Sequence, residues 1–180
     1  MKQTRVHFLI LIVAMMTLLV AAACSNNDEA TFDGVTLAGK GLTMNVSDLQ
    51  TVGELSYRDT DGFYYSVGPA MDGHELVAAR VTIWNTRSGR LSLLVDDRSA
   101  LLETAERERA FAINPYKRRQ LLDSEPSNLG VFTPFLWGPS DLPQDFNITG
   151  WMVFEVPEDY DIEVFEWEQV DFLTFPVSVN

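Results

Sequence analysis

Cys24 is the side chain whose surroundings prescribe a reaction most directly. It ends Ala21-Ala22-Ala23-Cys24, after an apolar run over 8–23 broken only by Thr17, and precedes Ser25-Asn26-Asn27. A thiolate is a strong nucleophile. A basic start (Lys2, Arg5), an apolar stretch and small residues before the cysteine form an export signal whose thiol can take a diacylglyceryl group. The apolar run is shorter than the ~20 residues that span a bilayer comfortably. Ser25-Asn26-Asn27-Asp28-Glu29 follows it in place of the Lys or Arg that would hold a retained helix. The expectation is a lipoprotein signal peptide over 1–23. The chain is then held on the extracytoplasmic side of the membrane, periplasmic or at the cell surface, with the lipid bilayer as partner through acylated Cys24.

Other candidate chemistry is sparser. Asp59-Thr60-Asp61-Gly62 resembles the opening of a calcium loop but lacks the later acids and the closing Glu. Asp59 and Asp61 are therefore weak metal candidates, with a hairpin turn as the competing reading. Asp96-Asp97 has the same two readings. Glu155, Glu158, Asp159, Asp161, Glu163, Glu166 and Glu168 make an acidic C-terminal run. A glycosidase needs two carboxylates facing each other across a cleft, whereas alternate strand positions set them side by side on a solvent face. His74 reads as an exposed turn residue, and no G-x-S-x-G elbow presents a serine to it. Lys117-Arg118-Arg119, with Arg107 and Arg109, is either a local basic patch for a partner or ordinary charge balance. Phe135, Leu136 and Trp137, beside Gly138-Pro139, are candidate partner-binding residues, because a loop Trp is a frequent hot spot. The alternative is that they plug one end of the core. No catalytic residue and no cofactor is expected.

The 180-residue chain carries a formal charge of −13. Loss of residues 1–23 would remove Lys2 and Arg5, leaving 11 basic against 26 acidic side chains, a charge of −15. Such a surface repels phosphate backbones, so no nucleic-acid partner is expected. With one cysteine, and His74 as the only histidine beyond the signal, disulfides and His-rich zinc sites are excluded. The remainder is long enough for one compact domain with a real core.

These residues must be positioned by short strands. Residues 24–40 are polar, small and Gly-dotted, and read as the lipidated Cys and a flexible tether. From 41 onward period-two patterns dominate: Leu42–Val46, a short strand around Phe63–Val67 in an aromatic loop, Glu75–Thr86, Arg90–Val95, Ile148–Val156, Asp161–Trp167 and Val170–Val177. Asn85–Gly89 and Asp96–Ser99 read as turns. Leu101–Ala112 fits either a helix or a strand pair, and Pro134–Pro143 reads as a Pro/Gly-rich connector with an exposed aromatic element. In Ile148–Val156 we expect Met152, Phe154 and Val156 to point inward. About seven short strands with little helix predict an all-β, antiparallel β-sandwich over 41–180.

Val81-Thr82-Ile83-Trp84-Asn85-Thr86 followed by Gly89, and Thr149-Gly150-Trp151-Met152-Val153-Phe154-Glu155-Val156-Pro157, resemble the two signature segments of telokin-like immunoglobulin-fold domains. These domains are of unknown function and occur on bacterial lipoproteins and secreted proteins. The resemblance implies an immunoglobulin-like sandwich spanning roughly 41–177. The chain departs from the family pattern at Leu142–Asn147, where a short Pro-Gly turn is usual, and in the long insert 116–139. Together these readings predict a membrane-anchored module that binds another envelope protein or serves a structural role, not an enzyme. The alternative is an envelope enzyme or metal-dependent carbohydrate-acting protein using surface carboxylates.

Overall fold

The computed structural model describes residues 34–87 and 89–178; Cys24 and the signal segment lie outside them. In chain order the strands are β1 (Val35–Ala38), β2 (Leu42–Val52), β3 (Leu55–Arg58), β4 (Tyr64–Val67), β5 (His74–Asn85), β6 (Leu91–Val95) and β7 (Ala100–Thr104). They continue with β8 (Arg109–Phe111), β9 (Gln120–Leu122), β10 (Gly138–Leu142), β11 (Asn147–Pro157), β12 (Ile162–Trp167) and β13 (Leu173–Pro176). Every strand pair is antiparallel, and no helix occurs among the described residues.

The central sheet runs β1-β2-β5-β11, and a second sheet runs β13-β12-β7-β8. Between them lies the main core. Leu42, Met44 and Val46 of β2, Val77, Ala79, Val81 and Ile83 of β5, and Met152, Phe154 and Val156 of β11 meet Leu102, Phe165, Trp167 and Phe175. Phe165 packs edge-on against both Phe154 and Phe175, with centroids 5.8 Å apart in each pair, the geometry aromatic rings favour. The β6-β10 pair closes the same core through Leu91, Leu93, Val95 and Leu142. This is an immunoglobulin-like antiparallel β-sandwich, and the inward placing of Met152, Phe154 and Val156 holds.

The opposite face of the central sheet is also covered. Leu76, Ala78 and Val153 pack against Leu55, Tyr57 and Val67 of a third sheet, β3-β4-β9, and against Phe132 and Phe135. Strands buried on both faces show continuous apolar runs in place of alternation. Leu76-Val77-Ala78-Ala79 and Trp151-Met152-Val153-Phe154 are those runs.

Several local expectations are corrected. The tether over 24–40 is too long, because β1 lies inside it and pairs with β2 from Val35↔Val46 to Ala38↔Thr43. Buried Asn45 fixes that pairing by donating to Thr36 Oγ1 at 2.9 Å. The ambiguous stretch over 101–112 is a strand pair, β7-β8, with Leu101↔Phe111 in register. The Pro134–Pro143 connector ends in a true strand, β10, paired with β6 from Gly138↔Val95 to Leu142↔Leu91. The Asp96–Ser99 turn stands as expected, closed by Ser99 N donating to Asp96 O at 3.2 Å. Near the C-terminus a three-residue turn is centred on Val170 (φ 69°), with Asp171 N donating to Gln169 O at 2.7 Å. The Trp167 indole N–H donates to the same carbonyl at 2.7 Å, and Asp171 Oδ2 accepts the Gly41 and Leu42 amides at 2.7 and 3.1 Å.

Phe154 is fully buried between the two sheets. Phe154→Ala is expected to lower unfolding free energy by about 3–5 kcal/mol in urea titration; an unchanged midpoint would contradict its placement.

Candidate functional site

Several of the candidate residues lie where the insert 112–137 crosses the outer edge of β11. Ile113 N donates to Val153 O at 2.8 Å, Trp151 N to Pro134 O at 2.8 Å, and Leu136 N to Trp151 O at 2.9 Å. The insert therefore closes the edge of the central sheet. Gly150 makes this possible: a Cβ there would stand 2.8 Å from Leu136 N and 3.0 Å from Pro134 O. That is a close backbone approach only glycine permits.

This path settles Phe135, Leu136 and Trp137. Phe135 turns into the outer cluster, where its ring meets Tyr57 edge-on at 5.0 Å and Tyr116 at 5.7 Å. Leu136 turns the other way into the main core. Both are buried, so neither forms the exposed anchor the Pro/Gly-rich context suggested; they plug the core. Trp137 is half-buried against the main core and keeps part of its surface at a groove.

The basic triplet divides its three cations among three places. Arg119 reaches Asp59, and its guanidinium lies over the Tyr65 ring, 4.0 Å from the centroid, a cation–π contact. Arg118 Nη2 donates to Glu155 Oε2 at 2.5 Å. Lys117 has no side-chain partner among the described residues and points to the groove. Arg109 pairs with Glu103 at 3.1 Å. For Arg109, Arg118 and Arg119, charge balance is the role observed.

Asp59 and Asp61 form a hairpin turn. Gly62 N donates to Asp59 O at 2.9 Å, Thr60 N to Asp59 Oδ1 at 2.7 Å, and Phe63 N to Asp61 Oδ1 at 2.9 Å. Tyr65 Oη donates to Asp61 Oδ2 at 2.7 Å. The Thr60 amide, with Arg119, holds the Asp59 carboxyl below its usual range. Among the described residues no group of three or more His, Cys, Asp or Glu is placed to hold a metal ion. Asp96 is likewise a turn residue, its Oδ1 accepting Arg98 N at 2.9 Å and Ser99 Oγ at 3.1 Å. His74 opens β5, half-buried, with Nδ1 3.3 Å from Asp72 O.

Two features escaped the sequence. Glu155 reads from the sequence as part of a solvated acidic face, yet its side chain is only 5% exposed. It accepts the Ala70 and Met71 amides at 2.7 and 2.9 Å as well as Arg118. Burial pushes its pKa up, but those donors outweigh it and the net shift is downward. A lone acid inside an otherwise apolar strand was the available signal. Tyr57 is the second: its hydroxyl is buried without a hydrogen bond of ordinary geometry. Burial raises its pKa, and the Arg119 guanidinium opposes that electrostatically.

The groove has a volume of about 400 Å³. Asp96 and Asp97 of the β6–β7 turn line it, with Asn114, Lys117 and Arg118 of the insert, and Trp137. Ala112 and Ile113 form its apolar part. A larger groove of about 540 Å³ runs beside β1 and the C-terminus, but Asp48 is its one charged liner, and Asp48 pairs with Arg80 at 3.5 Å. The smaller groove is the better functional candidate, because it holds an indole, an amide and both signs of charge.

No protein-family model matches the sequence, and no curated protein matches it. Among solved structures, one described as a candidate lipoprotein (ycdA) of Bacillus subtilis is similar, with a TM-score of 0.54 and 14% identity. The match covers 82% of this chain but only 39% of that one, so this chain spans well under half of its length. A β-sandwich protein of Clostridium difficile matches with a TM-score of 0.47 and 9% identity, over 81% of this chain and 91% of its own. A secreted protein of Mycobacterium tuberculosis, MPT63, matches with a TM-score of 0.45 and 17% identity, over 79% and 91%. The Bacillus likeness bears on fold, and it agrees with the sandwich described above.

Because Glu155 titrates below its unfolded value, the stability it contributes is complete above that value, about 4.3, and fades as pH falls through the folded one. Glu155→Gln should lower stability at pH 7 by about 1–3 kcal/mol. Urea midpoints should show its gap to the wild type closing below about pH 4.

Proposed function

We propose that this chain is a lipid-anchored lipoprotein whose sandwich, a telokin-like immunoglobulin domain, works outside the cytoplasm as a protein-binding or structural module of the cell envelope. The observation that carries this reading is Cys24, behind Ala21-Ala22-Ala23 and ten residues before the first described residue, Gly34. Acylation there tethers a compact β domain to the bilayer. The acidic surface suits an aqueous compartment in which the lipid alone supplies membrane affinity; one acyl chain binds reversibly and stable anchoring needs more than one.

Binding is preferred over turnover because of how the inner carboxylates are engaged. Glu155, Asp59 and Asp171 each accept backbone amides, and each is held in its ionised form. Those bonds fix loops to strands; a general acid would need a raised pKa and a free proton-transfer path. The outer carboxylates Glu166 and Glu168 alternate with buried Phe165 and Trp167 along β12 and its end, and so share one face.

Cells expressing the full chain should incorporate a clickable fatty acid into the wild type and not into Cys24→Ser, and the variant should leave the membrane fraction. Label retained by Cys24→Ser, or wild-type protein recovered unmodified from cytosol, would overturn the anchoring.

A further inference from the structure

We propose that the groove between the Asp96-Asp97 turn and Trp137 is a binding site for a neutral saccharide, one to two sugar units of a glycan chain. Its size falls within the roughly 300–1,000 Å³ of small-ligand sites. Its wall chemistry selects the class. The Trp137 indole offers an apolar face with a polar N–H, the combination that fits the C–H face of a pyranose ring flanked by hydroxyls. Around it, donors and acceptors are mixed. Asn114 Oδ1 already accepts the Tyr116 and Lys117 amides at 2.9 and 3.2 Å, which fixes the side chain and leaves its NH₂ available. Asp96 is fixed in the same way through Oδ1, leaving Oδ2. Asp97 and Lys117 have no side-chain partner among the described residues, and Arg118 is oriented by Glu155. Hydroxyls donate and accept, so one sugar can satisfy carboxylates on one wall and cations on the other.

Charge separates this class from its competitors. Lys117 faces two carboxylates, Asp96 and Asp97, and the charge of Arg118 is answered by Glu155, so the groove offers no positive field to an anion, while the acidic chain as a whole repels polyanions. An extended peptide would need free backbone groups to pair with. On the apolar part of the groove the two amides are already engaged: Ala112 N donates to Ala100 O at 3.1 Å and Ile113 N to Val153 O at 2.8 Å. Recognition is left to side chains. The site goes beyond the envelope-module reading, because it identifies what such a module would hold and does not depend on the anchor for its geometry.

The test uses the full chain in a detergent without a sugar headgroup, titrated by calorimetry with N,N′-diacetylchitobiose, cellobiose and maltose, and with digalacturonate as the charged comparison. At least one neutral disaccharide should bind saturably, with Kd on the order of millimolar or tighter, and should shift the Trp137 indole N–H resonance. Trp137→Ala and, independently, the exposed Asp97→Ala should each weaken binding about tenfold or more, with thermal melts reporting that both variants stay folded. No binding by any neutral disaccharide, equal binding by Asp97→Ala and Trp137→Ala, or preference for digalacturonate would overturn the proposal. Fatty-acid labelling of the same preparations scores the anchor separately, so loss of either result leaves the other standing.

Discussion

Because Trp151, Met152, Val153 and Phe154 follow one another along β11, their side chains alternate between two faces that must both be kept from water. A two-layer sandwich could cover only one. The third sheet and the insert 112–137 exist in this fold to cover the other, and the free edge of β11 is closed by the same insert. An open edge of this apolar strand would be a pairing hazard. The close approach at Gly150 joins the two tasks: with Leu136 N and Pro134 O against the strand, Phe135 enters one cluster and Leu136 the other.

The electrostatics follow from that architecture. Once a segment is laid across an apolar strand, any charge it carries or covers must find a partner, since an unpaired buried ion is costly. Glu155 is such a charge, and Arg118 with two loop amides answers it. Arg119 answers Asp59 and stacks on Tyr65, tying the β3–β4 hairpin to β9. The Tyr57 hydroxyl beside it and Asp59 push the Arg119 pKa further up. Lys117 alone of the three has no side-chain partner among the described residues, and it lines the groove beside the paired Arg118.

The strands with simple alternation were readable from sequence. β12 shows Phe165 and Trp167 buried with Val164 and Glu166 partly exposed between them, as the period of two requires; Glu163 is exposed where the register against β7 shifts. Met152, Phe154 and Val156 were placed correctly because they share a face. The failures have physical causes. Whether Phe135 anchors a partner or plugs the core is not decided locally, because its covering partner, the aromatic cluster of Tyr57 and Tyr116, lies some 20 to 80 residues away in sequence. β1 is hidden in a tether-like composition because a four-residue strand draws its order from its partner, here through Asn45, more than from its own residues. The groove could not be seen at all, since it is assembled from a turn near 96, an insert near 114–118 and Trp137.

The turn at Val170 has a further implication. A β-branched residue rarely adopts a left-handed backbone, and this conformation persists when surrounding contacts over-determine it. Here they are the Trp167 indole on one side and, on the other, Asp171 gripping the amides that begin β2, 130 residues earlier in the chain. Releasing that grip would strip the Gly41 and Leu42 amides of their acceptor together with the contact that holds the backbone beside 170. The turn that leads into the last strand therefore keeps the start of the first long one in place.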